Sequence, residues 1–186
     1  MFQRLAIPDI VLVTPKRHVD ERGFFVETFN CASMAAVTGP LHWVQDNQSR
    51  SECKGTLRGL HFQLPPFAQD KLVRCIRGSI LDVAVDIRHG SPSFGKHVVV
   101  TLTEARGEQL FVPKGFAHGF LTLTEGCEVA YKVTNYYSAE HDRGVRWNDP
   151  QIAVEWGLSE SEVTLSPKDA ATPLLAELPA YFRYPT

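Results

Sequence analysis

A chain of 186 residues, 44% hydrophobic and 22% charged, is long enough to bury a core without disulfide or metal staples. Its formal net charge of −2 gives no bulk attraction to nucleic acid or to an anionic membrane, although a local basic site for a small anion is compatible with it. No apolar run approaches the roughly 18–20 residues that cross a bilayer, the opening Met1-Phe2-Gln3-Arg4-Leu5 lacks the apolar region of a secretory signal, and Cys31, Cys53, Cys75 and Cys127 are scattered without a CxxC pair, so free thiols in a reducing cytosol are expected.

Strand signals dominate along the chain. Ile10-Val11-Leu12-Val13 is a first apolar run, ended by Thr14-Pro15. The residues from Gly23 to Phe29 alternate, and those from Asn30 to Val37 read as a short helix closed by Gly39-Pro40. Strands are expected over 41–45 and 56–63, the second stopped by Pro65-Pro66. Two more, over 72–76 and 80–87, flank Arg77-Gly78-Ser79, a hairpin signal. Runs over 98–102 and 109–112 precede the turn Pro113-Lys114-Gly115, and strands over 116–123 and 128–136 follow it. After Trp147-Asn148-Asp149-Pro150 the chain turns irregular to helical. Ser166-Pro167-Lys168-Asp169 reads as a helix start, with Ser as N-cap, Pro at the first position and Asp at the third. Many short strands punctuated by Gly and Pro predict a closed or double-sheet β architecture, a jelly roll fitting best.

Strand phase sorts the groups able to do chemistry. Leu60 and Phe62 alternate with Gly59, His61 and Gln63, so His61 projects from the polar face, and Lys71 on the neighbouring strand can face the same space. His118 shares a face with Phe116 and Phe120, and Tyr131 shares one with Val133, Asn135 and Tyr137. Taken singly, each group has an ordinary explanation. A strand histidine is more often structural, Tyr131 a packing tyrosine, Lys71 a solvated strand end, Asp169 a helix-capping acid and Asp82 the partner of a cation such as Arg74 or Arg77. His61 and His118 are weak support for a metal, because His61 is followed by Phe62 and Gln63 and not by a second ligand. No Gly-x-Ser-x-Gly elbow, Walker A loop or Gly-x-Gly-x-x-Gly is present, so neither a serine nucleophile nor a bound nucleotide cofactor is expected. The set that remains is His, Tyr, Lys and Asp, suited to acid–base chemistry.

In order along the chain stand DERGFFVETF (20–29), QDN (45–47), LRGLHFQ (57–63), KLVRC (71–75), DVAVDIR (82–88), FVPKGFAHGF (111–120), YKVTNYY (131–137), WNDP (147–150) and SPKDAATPLL (166–175). Together these segments resemble the dTDP-4-dehydrorhamnose 3,5-epimerase family, from Ile7-Pro8-Asp9 to about Leu175. The resemblance implies an all-β, cupin-type jelly roll (a double-stranded β-helix) with short peripheral helices. It implies one epimerase domain over 1–186, with a jelly-roll core over about 41–137 on which N-terminal strands and a C-terminal helical tail pack. It further implies a cytoplasmic homodimer acting on a dTDP-sugar without metal or cofactor, and with neither nucleic acid nor membrane as partner.

By the same resemblance His61 is the catalytic base, Asp169 its carboxylate partner, Tyr131 the acid that returns a proton and Lys71 the cation beside the substrate's keto oxygen. Arg22, Glu27, Gln45, Asn47, Arg58, His118, Tyr137, Asp142 and Lys168 match substrate contacts, with the segment carrying Arg22 and Glu27 reaching the partner subunit's site. Two positions depart from the pattern. Asp142 stands where some relatives carry Glu, so that contact is expected to be shorter or absent, and Gln48 stands where many have His. The implied reaction inverts C3 and C5 of dTDP-4-dehydro-6-deoxy-D-glucose through an enolate. A mono-epimerase inverting C3 or C5 alone, a silent sugar-nucleotide-binding cupin and a metal-dependent cupin oxygenase stay open as alternatives. One local expectation is sharp. Arg58 and His61 are three residues apart, so a regular strand sends them to opposite faces, and a bulge at Gly59 is required to bring them together.

Overall fold

Strands with alternating side chains need a surface against which to bury one face, and two antiparallel sheets supply it to each other here. The computed structural model describes residues 1–185. It starts with β1 (Phe2–Arg4), β2 (Val11–Val13), β3 (Arg17–Asp20), β4 (Gly23–Val26) and the helix α1 (Cys31–Thr38). Next come β5 (Gln45–Ser51), β6 (Leu57–Gln63), β7 (Lys71–Arg77), β8 (Ser79–Asp86), β9 (Arg88–His89) and β10 (His97–Thr103). β11 (Gln109–Val112), β12 (Phe116–Thr122), β13 (Cys127–Val133), β14 (Asp142–Gly144), the short helix α2 (Pro167–Ala170) and β15 (Phe182–Arg183) complete the chain.

A six-stranded sheet runs in the order β1-β2-β11-β7-β13-β5, and a five-stranded sheet in the order β10-β8-β12-β6-β14. The architecture is the expected all-β jelly roll. The main sheets recruit β1 and β2 on one side and β14 on the other, beyond the 41–137 span. β3 and β4 form a separate exposed hairpin, so the alternation over 23–29 yields a strand only over Gly23–Val26.

Three apolar layers hold this together. Between the sheets, Val73, Cys75, Ile80, Ala84, Leu110 and Phe116 form the interior. The outer face of the five-stranded sheet is covered by the C-terminal segment, which brings Trp147, Trp156, Leu175 and Phe182 onto Leu60, Val83 and Leu121. The outer face of β2, β7 and β11 is covered by Met34 of α1 and by Phe29, Leu41 and Trp43. β12 is therefore buried at every position, its polar His118 and Thr122 included. Buried Asp149 pins the C-terminal segment by accepting from the amides of Gln151 (2.8 Å), Ile152 (2.9 Å) and Leu175 (2.7 Å). Among the described residues no helix is long and apolar enough to cross a membrane.

Several local expectations change. Gly78 does take a turn conformation (φ +82°), but β7 and β8 enter different sheets, so Arg77-Gly78-Ser79 is a crossing between sheets and not a hairpin. For the same reason His61 and Lys71 do not sit on neighbouring strands; they meet across the interior. The strand expected over 41–45 lies over Gln45–Ser51, while Leu41 and Trp43 are spent on packing against the six-stranded sheet. The one expected over 128–136 stops at Val133, where Thr134 turns its hydroxyl to Asp70 (2.7 Å).

The irregularity in β6 is present where the spacing demands it. Opposite β12, His118 pairs with His61 and Phe120 with Arg58, so Gly59 and Leu60 together face the single residue Gly119. Gly59 has φ +130°, and a Cβ there would stand 2.5 Å from the Gly119 Cα, so both the conformation and the close approach require glycine. The bulge turns Arg58 and His61 to the same, inner face.

Candidate active site

The inner faces of the two sheets are apolar at one end and polar at the other. Cross-strand partners share a face, so the β5–β13 register sets Asn47 beside Tyr131 and Ser49 beside Val129. Gln45, Asn47 and Ser49 thus line the interior from an edge strand while Lys71, next to Val73 and Cys75, reaches in from β7. The polar end encloses two lobes. One, of about 260 Å³, is walled by Arg58, His61, Lys71, His118, Tyr131 and Asp169 among others. The second, of about 280 Å³, shares His61, Lys71 and Tyr131 and adds Gln45, Asn47, Tyr137 and Asp142.

His61 and Asp169 are bonded, with Nε2 2.5 Å from the Asp169 Oδ1. Asp169 is placed by the helix start foreseen in the sequence: Ser166 caps α2, Pro167 follows, and the Asp169 amide donates to the Ser166 Oγ at 3.1 Å. Asp169 is therefore both the capping-turn acid and the partner of His61. Burial works to raise its carboxyl pKa, but the His61 bond, the Ser166 contacts and the Lys168 charge outweigh it and hold the pKa below the ordinary value. An ionised carboxylate only accepts, so His61 Nε2 is the donor, and in the neutral imidazole the lone pair lies on Nδ1.

Lys71 is buried and its ammonium donates to the His61 carbonyl oxygen at 3.3 Å. Burial pushes its pKa down to about 8, against the opposing pull of the Asp142 and Asp82 charges. Burial likewise raises the Tyr131 phenol, and Asp142 and Tyr137 add to this while Arg58 opposes it. At neutral pH the cavity thus holds a cation and a protonated phenol beside a histidine.

The second histidine has its own carboxylate. His118 Nε2 lies 2.8 Å from the Oδ1 of Asp82, a diagonal contact between β12 and β8. The sequence suggested Arg74 or Arg77 as the partner of Asp82. Arg74 points to the outer face of β7 and Arg77 sits 4.0 Å from Glu128, so neither reaches it. The other Asp82 oxygen is buried without a hydrogen-bond partner among the described residues.

At the mouth, Asp142 Oδ2 accepts from Lys168 Nζ and from the Tyr137 hydroxyl, the latter at 3.2 Å. Arg58 is steadied by Ser51 Oγ (3.2 Å) and the Arg50 carbonyl (3.1 Å). Eleven of the thirteen site residues expected from the sequence gather here. Arg22 and Glu27 do not: Arg22 pairs with Asp20 (2.5 Å) in the exposed β3–β4 turn, and Glu27 opens on a separate groove beside α1. Sequence reasoning did not single out Ser49 or Gln63, whose signal is the period of two that relates them to Asn47 and His61. Among the described residues no three His, Cys, Asp or Glu side chains are grouped so as to hold a metal ion.

The model of the dTDP-4-dehydrorhamnose 3,5-epimerase family matches residues 4–177. The chain belongs to that family. A dTDP-4-dehydrorhamnose 3,5-epimerase of Sinorhizobium fredii is 51% identical over 98% of this chain and 93% of its own length. One from Escherichia coli is 51% identical over 94% of both chains. Among solved structures, a dTDP-6-deoxy-D-glucose-3,5-epimerase of Legionella pneumophila, in complex with dTDP-4-keto-L-rhamnose, superposes with a TM-score of 0.95 at 44% identity, covering 100% of this chain and 99% of that one. The bulge of β6 and the His61–Asp169 pair are thus features of an epimerase-family fold, set in its polar interior.

Proposed function

We propose that the protein inverts C3 and C5 of dTDP-4-dehydro-6-deoxy-D-glucose to give dTDP-4-dehydro-L-rhamnose. The observation that carries this is one cavity shared by the His61–Asp169 pair, the Tyr131 phenol and the buried Lys71 ammonium. Both hydrogens to be moved are α to the C4 ketone, so loss of either leaves an enolate. His61 Nδ1 takes the proton, and Asp169 stabilises the imidazolium that results. Lys71 sits where the oxygen becomes negative, and its charge favours the enolate over the ketone. Tyr131 returns a proton to the opposite face and so inverts the centre.

The nucleotide end is assigned to Arg58 and Lys168 for the pyrophosphate and to Tyr137 for the base, with Gln45, Asn47, His118 and Asp142 along the sugar. Arg22 and Glu27 serve the site of a second subunit in a homodimer. Support for this comes from Val19, Phe24 and Phe25, which are 77%, 59% and 71% exposed on the same hairpin, an apolar surface that a partner would cover. The four free cysteines fit a cytoplasmic protein.

The test is turnover of dTDP-4-dehydro-6-deoxy-D-glucose in deuterated water, followed by proton NMR of the product. Deuterium at two inverted centres is expected. A single labelled, inverted centre would mean a mono-epimerase, and binding without exchange a silent sugar-nucleotide protein.

A further inference from the structure

The carboxylate at the cavity mouth is held in a way that a bound sugar nucleotide has to undo. Asp142 stands at the start of β14, and its Oδ2 is shared by the Lys168 ammonium of α2 and the Tyr137 hydroxyl. The Tyr137 amide donates to Gln45 Oε1 at 3.1 Å, and Gln45 Nε2 donates to Asn47 Oδ1 at 2.7 Å. A continuous series of bonds therefore runs from α2 to β5. It joins Lys168, which lines one lobe, to Tyr137 and Asp142, which line the other.

The partners are unequal. The Asp142 side chain is 11% exposed while that of Lys168 is 52% exposed, so the carboxylate is fixed and the cation is the part free to swing on its four-carbon stem. A pyrophosphate approaching Lys168 finds its charge already paired with the Asp142 carboxylate behind it. While Asp142 pairs with Lys168 it cancels the cation's charge, and two anions side by side repel, so an incoming pyrophosphate gains most by drawing Lys168 away from Asp142.

We propose that Asp142 is a charge-selective latch: it occupies Lys168 in the free protein and yields it only to a ligand with enough negative charge to displace a carboxylate. This rests on the assignment of Lys168 to the pyrophosphate. A released Asp142 still faces the interior, where its charge helps keep Lys71 cationic. The latch residue therefore acts against binding and in favour of turnover.

The experiment compares the wild type with Asp142→Asn by calorimetric titration with dTDP and NMR titration with uncharged thymidine. The variant is expected to bind dTDP about three- to tenfold more tightly, the range of a partly exposed ion pair plus the relieved repulsion, and thymidine no more tightly than before. With the sugar-nucleotide substrate, KM falls and kcat falls with it, a split that a general loosening of the fold would not produce. Asp142→Ser removes the same charge with a different shape and should behave alike. Equal or weaker dTDP binding in these variants would make Asp142 an ordinary contact and overturn the latch. Tightening of thymidine by the same factor as dTDP would also overturn it, since the effect would then be one of access and not of charge. A wild type that binds no dTDP at all would instead remove the functional assignment, and the latch with it.

Discussion

His61 and Tyr131 differ in what their surroundings leave them able to do. Asp169 accepts a hydrogen bond from His61 Nε2 and leaves Nδ1 as the proposed base, while burial keeps the Tyr131 phenol protonated well past neutrality. Removing the base should therefore stop the reaction before the enolate, and removing the acid should stop it after. His61→Asn or His61→Ala is expected to lose at least ~10²-fold in solvent-deuterium exchange at both C3 and C5; retained exchange would exclude His61 as the base. Tyr131→Phe is expected to lose epimerised product more severely than exchange at C3, and an unchanged product yield would exclude it as the acid. Lys71 predicts a pH effect. Its pKa is pushed down to about 8, so the ammonium is present below that value and lost above it. The log of kcat/KM should fall as pH rises through about 8. In Lys71→Arg, whose guanidinium stays charged to above pH ~12, that limb should move to higher pH; a limb that stays in place would assign it to another group.

At the scale of the element, the β6 bulge decides which residues meet. Without the extra residue at Gly59-Leu60, His61 would face inward and Arg58 would face the C-terminal layer, where a charge has no partner. The Gly59→Ala change sets a methyl 2.5 Å from the Gly119 backbone at φ +130°. It is expected to lower unfolding free energy by ~2–4 kcal/mol in a denaturant melt, and to raise KM as Arg58 leaves the inner face. A stable variant with wild-type kinetics would show that the strand can be regular. β5 makes the complementary point. Gln45-Asp46-Asn47-Gln48-Ser49-Arg50-Ser51 carries no hydrophobic alternation because its inner face borders the polar cavity, so its strand character was invisible and the neighbouring 41–45 was expected in its place. The helix start at Ser166 was legible because capping is local: a hydroxyl, a fixed φ and an acid three residues on need no distant partner.

For the whole molecule, a site completed by a second subunit predicts complementation. Arg22→Ala and His61→Asn should each be inactive as pure proteins. After mixed refolding, half of the dimers pair unlike chains, and each of these holds one intact site, which gives about a quarter of wild-type activity. Activity no higher than that of the pure variants would place Arg22 outside the partner's site. The amino-acid order by itself determined the β class, the two helix starts, the need for a bulge between Arg58 and His61 and, through its motifs, the family and the candidate site residues. Those follow from local sterics, from periodicity and from residue types met in a fixed order. Only the tertiary structure decided that β7 and β8 part into different sheets, that Lys71 meets His61 across an interior, that Asp82 serves His118, and that Asp142 ties Lys168 to Tyr137. Strand phase says which face a side chain occupies but not which sheet that face confronts, and the pairing of groups far apart in the chain is set by how the two sheets close on each other.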